Sequence, residues 1–284
     1  MSAVLTRPDS YQRWRERKLA AYPRRVEDLA VEVGDPGNLT DAEVGKLREV
    51  CARANMAVYS GPRAGLAGKD LVRRIGARLG LERLQANPFA DEDGISSLET
   101  TTEKAARGYI PYSNRRLLWH TDGYYNPPAQ RIRAFILHCA RPAAAGGENR
   151  LLDHEIAWLM LRDADPGYVE ALSAPDAMTI PANTDEGMPR PAQSGPVFSD
   201  DGGALHMRYT ARTRSIEWRA DEKTRAAVQR LNAILESASP YVFTLRLAPG
   251  QGLVCNNVLH DRSAFTDAPG AGRLVYRARY LDRL

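Results

Sequence analysis

Leu118-Trp119-His120-Thr121-Asp122-Gly123-Tyr124-Tyr125 is the stretch around which the rest of the chain is organised. His120 and Asp122 are two residues apart, so on an extended strand both side chains leave the same face. A neutral imidazole and a carboxylate converging on one point supply two of the three protein ligands of a non-haem iron(II) site. The third must come from far along the chain, and His260, in Asn257-Val258-Leu259-His260-Asp261-Arg262, is the candidate. Only a folded sheet can bring it back to the pair.

Composition narrows what such a site serves. With 284 residues, 43% hydrophobic and 26% charged, the sequence reads as one ordinary globular domain spanning 1–284. The longest apolar run, Ile156 to Leu161, is far short of the roughly 20 residues that cross a bilayer. Met1 to Lys18 is polar and arginine-rich without an apolar segment, so no secretory signal is visible. Cys51, Cys139 and Cys255 have no CxxC spacing and suit reduced packing residues in a cytoplasmic protein. A net charge of +4 invites a nucleic-acid partner, but arginines are scattered among acids and no basic run carries interleaved aromatics. The expected partner is a small molecule, with neither nucleic acid nor membrane; assembly into a homo-oligomer stays open.

Flanking periodicity predicts an α+β chain. Helical patterns cover Ser10–Ala21, a stretch opened by the Thr40/Glu43 capping box, Lys69–Gly80, His154–Asp163, Gly167–Leu172 and Asp221–Glu236. Alternating or β-branched runs predict strands at Leu29–Val33, Met56–Ser60, Ile132–Cys139, Glu148–Leu152 and Met178–Ile180. Pro196–Ser199 and Leu205–Tyr209 flank Asp200-Asp201-Gly202-Gly203, a hairpin signal. Three closing strands are expected at Tyr241–Leu247, Gly252–Asn256 and Arg273–Tyr280, with His260 just after the second. Between residues 86 and 116 periodicity fades, and a loop that long suits a substrate lid. Strands separated by turns, with helices clustered early and late, point to an antiparallel barrel or sandwich.

Arg273 and Arg277 follow His260 on one strand and share a face by parity, where a guanidinium can grip a carboxylate through two hydrogen bonds. Trp119-His120-Thr121-Asp122, the Pro127-Pro128 step, Gly146-Gly147-Glu148 and the terminal His260, Arg273, Arg277 series together resemble the taurine dioxygenase (TauD/TfdA-like) branch of the iron(II)/2-oxoglutarate oxygenases. The resemblance runs with gaps from about Leu29 to Tyr280. It implies a double-stranded β-helix (jelly roll) with flanking helices, and Fe(II) held by His120, Asp122 and His260. It also implies 2-oxoglutarate and O2 as cosubstrates, with the distal carboxylate of 2-oxoglutarate on Arg273. Relatives usually carry threonine where Asn149 stands, and Arg277 matches a position that contacts the cosubstrate or an anionic substrate. The implied reaction hydroxylates an unactivated C–H and releases succinate and CO2. Tyr109, Asn114, Tyr124, Tyr125, His206 and Arg208 are the substrate-binding candidates. A zinc-dependent hydrolase can use two histidines and an aspartate, and a barrel retained as a non-catalytic binding protein is the other alternative.

Overall fold

The computed structural model of the chain describes residues 8–62, 68–85, 93–101, 110–184, 189–213 and 216–284. It opens with helix α1 (Pro8–Ala21), strand β1 (Ala30–Glu32), α2 (Asp41–Ala54), β2 (Met56–Ser60), α3 (Lys69–Arg78) and β3 (Ser96–Leu98). There follow β4 (Leu117–His120), β5 (Ala134–Arg141), β6 (Ala145–Gly146), β7 (Asn149–Leu152), α4 (His154–Ala164), α5 (Pro166–Leu172) and β8 (Met178–Ile180). Next are β9 (Gln193–Gly195), β10 (Phe198–Asp201), β11 (Ala204–Met207), β12 (Glu217–Trp218) and α6 (Glu222–Glu236). The chain closes with β13 (Phe243–Leu245), β14 (Gly252–Cys255), β15 (Leu259–Arg262), β16 (Phe265–Thr266) and β17 (Leu274–Tyr280). This is the expected α+β class, with helices flanking antiparallel sheets.

The helices begin where the sequence supplies caps. Thr40 Oγ1 accepts from the Glu43 amide, while the Glu43 carboxylate accepts from the Thr40 amide at 2.7 Å, so two orphan donors of α2 are met reciprocally. Asp221 caps α6 by accepting from the Thr224 amide at 2.9 Å.

Backbone contacts divide the chain into two compact units. The first comprises residues 1–22, 119–131 and 152–242. In it α4, α5 and α6 pack on one another. Lys18 of α1 is buried between Asp153 and Glu155 at 2.6 and 2.5 Å, which ties α1 to the start of α4. Its strands form the small sheet β12-β8-β9 and the hairpin β10–β11. Gly202 and Gly203, both at positive φ, make the whole hairpin loop, and Asp201 pairs with Ala204. The strand therefore runs through the aspartates that the sequence assigns to the turn.

The second unit comprises residues 23–118, 132–151 and 243–284 and holds the sheet β1-β2-β14-β5-β17-β3. Its pairs are antiparallel except β1–β2. Helix α2 covers β1 and β2, and α3 packs on β5 and β17. A further sheet runs in the order β13-β7-β15-β4. Two expectations are corrected here. His260 lies inside β15 rather than after a strand, because Asn257 takes a left-handed turn at φ 51 and starts the new strand early. Residues 86–116 are not wholly irregular, because Ser96–Leu98 pairs with β17 as the sheet edge. Residues 86–92 and 102–109 of that segment, Tyr109 among them, lie outside the described residues.

Candidate active site

His120 ends β4, and Thr121 then turns the chain into the Asp122-Gly123-Tyr124-Tyr125 turn. The exit is fixed by main-chain bonds. Thr121 N donates to Tyr209 O at 3.0 Å, Tyr209 N donates to Thr121 Oγ1 at 3.1 Å, and Ala211 N donates to Trp119 O at 2.8 Å. His120 is thereby paired with Thr210 across an antiparallel bridge. Both members of the motif are buried, with His120 Nε2 3.8 Å from Asp122 Oδ1. One transition-metal ion at about 2.0–2.2 Å from each atom fits that spacing.

His260 is buried in β15 and its ring leans on Phe135 at 4.7 Å between centroids. Its Nδ1 lies 2.9 Å from the Val258 carbonyl, which can only accept, so the proton sits on Nδ1 and Nε2 keeps its lone pair. His120, Asp122 and His260 form the group of metal-competent side chains found among the described residues, with one ligand atom from each within 4.8 Å of the others. Two imidazoles and one carboxylate are the donor set that suits iron(II) and leaves coordination positions open.

A cationic cavity occupies the second unit. About 250 Å³ of space is lined by Cys139, Gly146, Gly147, Arg246, Arg273 and Val275, among others. Arg273, just before β17, is 6% exposed, and its guanidinium lies over the Phe265 ring at 5.3 Å. Its backbone amide is held by Asp267, but its guanidinium has no hydrogen-bond partner among the described residues. Burial lowers its pKa, which is the mark of a desolvated cation. The floor is the Gly146-Gly147 turn, and both residues have positive φ. A side chain at Gly146 would strike the Ala264 carbonyl. Ser263 Oγ accepts from the amides of Gly147 and Glu148 at 2.9 and 3.1 Å and donates to the Glu148 carboxylate, which staples this turn to the end of β15.

The remaining candidates separate. Asn149 is buried on β7 opposite Leu245 and does not line that cavity, whereas Arg246, which sequence reasoning missed, does. Arg277 is buried in β17 opposite Leu137 and Ser96. Asn114 is exposed, and its carbonyl accepts from Phe265 N. Tyr124, His206 and Arg208 line a cavity of about 510 Å³ with Asp122. Tyr125 meets Tyr124 edge to face at 5.2 Å and lies under the Arg190 guanidinium. Arg131 lines the same cavity and was not signalled by any motif.

Comparison with known proteins places the chain among relatives. The model of the family described as taurine catabolism dioxygenase TauD, TfdA family matches residues 17–279. A uridine-5'-phosphate dioxygenase of an Amycolatopsis species is 35% identical over 58% of this chain, and the matched span is 61% of that protein's length. One from a Streptomyces species is 31% identical over 68% of this chain and 72% of its own. Among solved structures, the non-heme iron oxygenase OrfP in complex with Fe and alpha-ketoglutaric acid superposes with a TM-score of 0.63 at 17% identity, covering 85% of this chain and 80% of that one. At that identity the likeness speaks to the fold. No helix among the described residues is long and apolar enough to cross a membrane.

Proposed function

The chain belongs to the TauD/TfdA dioxygenase family, and from that premise we propose that it is an iron(II)- and 2-oxoglutarate-dependent dioxygenase that oxidises an unactivated C–H of a small anionic metabolite. His120, Asp122 and His260 are the ligands, and the observation that carries this is their convergence as two imidazoles and a carboxylate. Arg273 takes the distal carboxylate of 2-oxoglutarate, supported by a desolvated guanidinium without a hydrogen-bond partner among the described residues, in a cavity with a second arginine. The bound metal and cosubstrate supply dioxygen activation: one oxygen atom enters succinate as CO2 leaves, and the other oxidises the substrate.

The chain's own residues do the rest. The Val258 carbonyl fixes the His260 tautomer, the Tyr209 and Ala211 main chain aims His120, and glycine at 147 leaves the space beside the Arg273 guanidinium free of a side chain. The names of the two curated relatives make uridine 5'-phosphate the first substrate to test. Three buried free cysteines suit a reducing cytoplasm.

The test is an anaerobic titration of the metal-free protein with iron(II) and then 2-oxoglutarate, followed by visible absorption. A charge-transfer band stoichiometric with protein, and lost in His120→Ala and His260→Ala, is the expected result. Tight zinc binding with no such band would replace this reading with a hydrolase.

A further inference from the structure

The β10–β11 hairpin has two chemically opposite faces. Phe198, Leu205 and Met207 are buried, and the Leu205 carbonyl is hydrogen-bonded by His154 Nε2 at 3.0 Å. The alternate positions are polar. Ser199 sits directly opposite His206, Asp201 lies two residues along β10, and Arg208 two residues beyond His206. Period-2 alternation sends all four to one face. Such a face normally meets water, yet His206 is only 8% exposed. Ser199, His206 and Arg208 instead wall the 510 Å³ cavity that contains Asp122, with Arg131 completing the lining.

Two arginines and one carboxylate line the cavity. Arg131 is paired with Asp201 at 3.2 Å. Arg208 donates to the carbonyls of Met178, Gln193 and Gly195 and has no carboxylate partner among the described residues. Those carbonyls hold the guanidinium in place without neutralising it. Burial, and then repulsion from Arg131, push its pKa down to about 10. Asp122, a proposed metal ligand, is the one acid among the residues that line the cavity. The Ser199 hydroxyl has no hydrogen-bond partner among the described residues.

We propose that the polar face of the hairpin is an oxyanion cradle for the substrate, with Ser199 and His206 hydrogen-bonding a phosphate-sized group, Arg208 supplying its counter-charge, and Arg131, shared with Asp201, adding to it. This rests on the iron-site reading above and adds the substrate class: a small metabolite whose phosphate docks beside the carbon to be oxidised. Arg208, tied to three carbonyls, acts as a fixed charge rather than a mobile clamp.

The experiment uses the protein loaded anaerobically with iron(II) and 2-oxoglutarate, titrated with uridine 5'-phosphate, uridine and inorganic phosphate. Perturbation of the charge-transfer band and the shift in melting temperature are both read. The expected result is that uridine 5'-phosphate binds at least about tenfold more tightly than uridine, and that phosphate competes with it. Ser199→Ala and Arg131→Gln should each weaken the nucleotide by about tenfold without changing the affinity for uridine or the band itself. Equal binding of nucleotide and nucleoside, unchanged nucleotide affinity in both variants, or no effect of either phosphate compound on band or melting temperature would overturn the cradle. Failure of the band to form at all would instead remove the iron-site reading, and the melting shifts would still report whether phosphate binds.

Discussion

Arg262, two residues past His260 on β15, donates through Nη2 to the main-chain oxygens of Ser113 and Arg115 at 2.7 Å each. The strand that carries one candidate iron ligand thus grips the segment that feeds β4, which carries another. The guanidinium also lies over the Phe265 ring, and burial lowers its pKa to about 9, with Arg273's charge adding to the effect. Removing it leaves buried carbonyls unmet. Arg262→Met should cost about 2–4 kcal/mol of stability, measured by denaturant unfolding, and weaken iron(II) binding. Arg262→Lys should restore only part of the loss, because an ammonium can stand in for Nη2 but not for Nη1, which reaches the Pro111 carbonyl at 3.4 Å, nor for the planar group over the Phe265 ring. Wild-type stability in both variants would show that the clamp is dispensable.

Arg273 offers a cleaner separation of roles. Arg273→Ala should raise the 2-oxoglutarate concentration needed for half-maximal charge-transfer absorbance by about a hundredfold, in keeping with roughly 2–3 kcal/mol for a charged bidentate contact. Iron stoichiometry should be unchanged. An unaltered 2-oxoglutarate requirement would take the carboxylate away from this residue.

Gly146 is held at φ 74 with the Ala264 carbonyl in the path of any side chain. Gly146→Ala should therefore destabilise by about 2 kcal/mol or more and weaken 2-oxoglutarate more than iron, because the turn floors the Arg273 cavity. Gly202→Ala, also at positive φ but with open space around it, should cost only the backbone strain of about 1 kcal/mol. Equal melting temperatures for the two variants would contradict the steric account.

His138 is buried with its Nδ1 hydrogen-bonded to the Tyr59 hydroxyl at 2.9 Å, and burial lowers its pKa from 6.5 to about 4. The unfolded chain binds this proton more readily, so stability is complete above pH 6.5 and falls as pH drops toward 4. The loss is about 3 kcal/mol at most. His138→Gln should flatten that part of the stability–pH curve. An identical acid limb in wild type and variant would assign it to other groups.

The parts of the fold that local chemistry dictates were legible in the sequence. The Thr40/Glu43 box opened its helix, Met56–Ser60 formed its strand, and Gly202-Gly203 closed its hairpin. Long-range pairing was not legible. Strand β3 is an ordinary Ser-Ser-Leu run that exists because β17 offers it an open edge, and β6, β12 and β16 are two-residue strands with no periodicity to detect. The sequence puts His260 just after a strand because Asn256-Asn257 does not read as a tight turn, although asparagine tolerates the left-handed conformation that Asn257 adopts. At the site, His120, Asp122 and His260 were visible through spacing and resemblance. Arg131 and Arg246 were not, since single arginines among 39 basic residues carry no pattern until a cavity selects them.

The hairpin meets the His120 strand end through main-chain bonds from Tyr209 and Ala211 and through the Thr121 hydroxyl, so its outward residues are free to vary without loosening that seam. Selectivity and reactivity would therefore be separable. Under the proposed cradle, exchanging Ser199, His206 and their neighbours would retarget the protein to a new anion or to none, while the main-chain support of His120 would stay as it is.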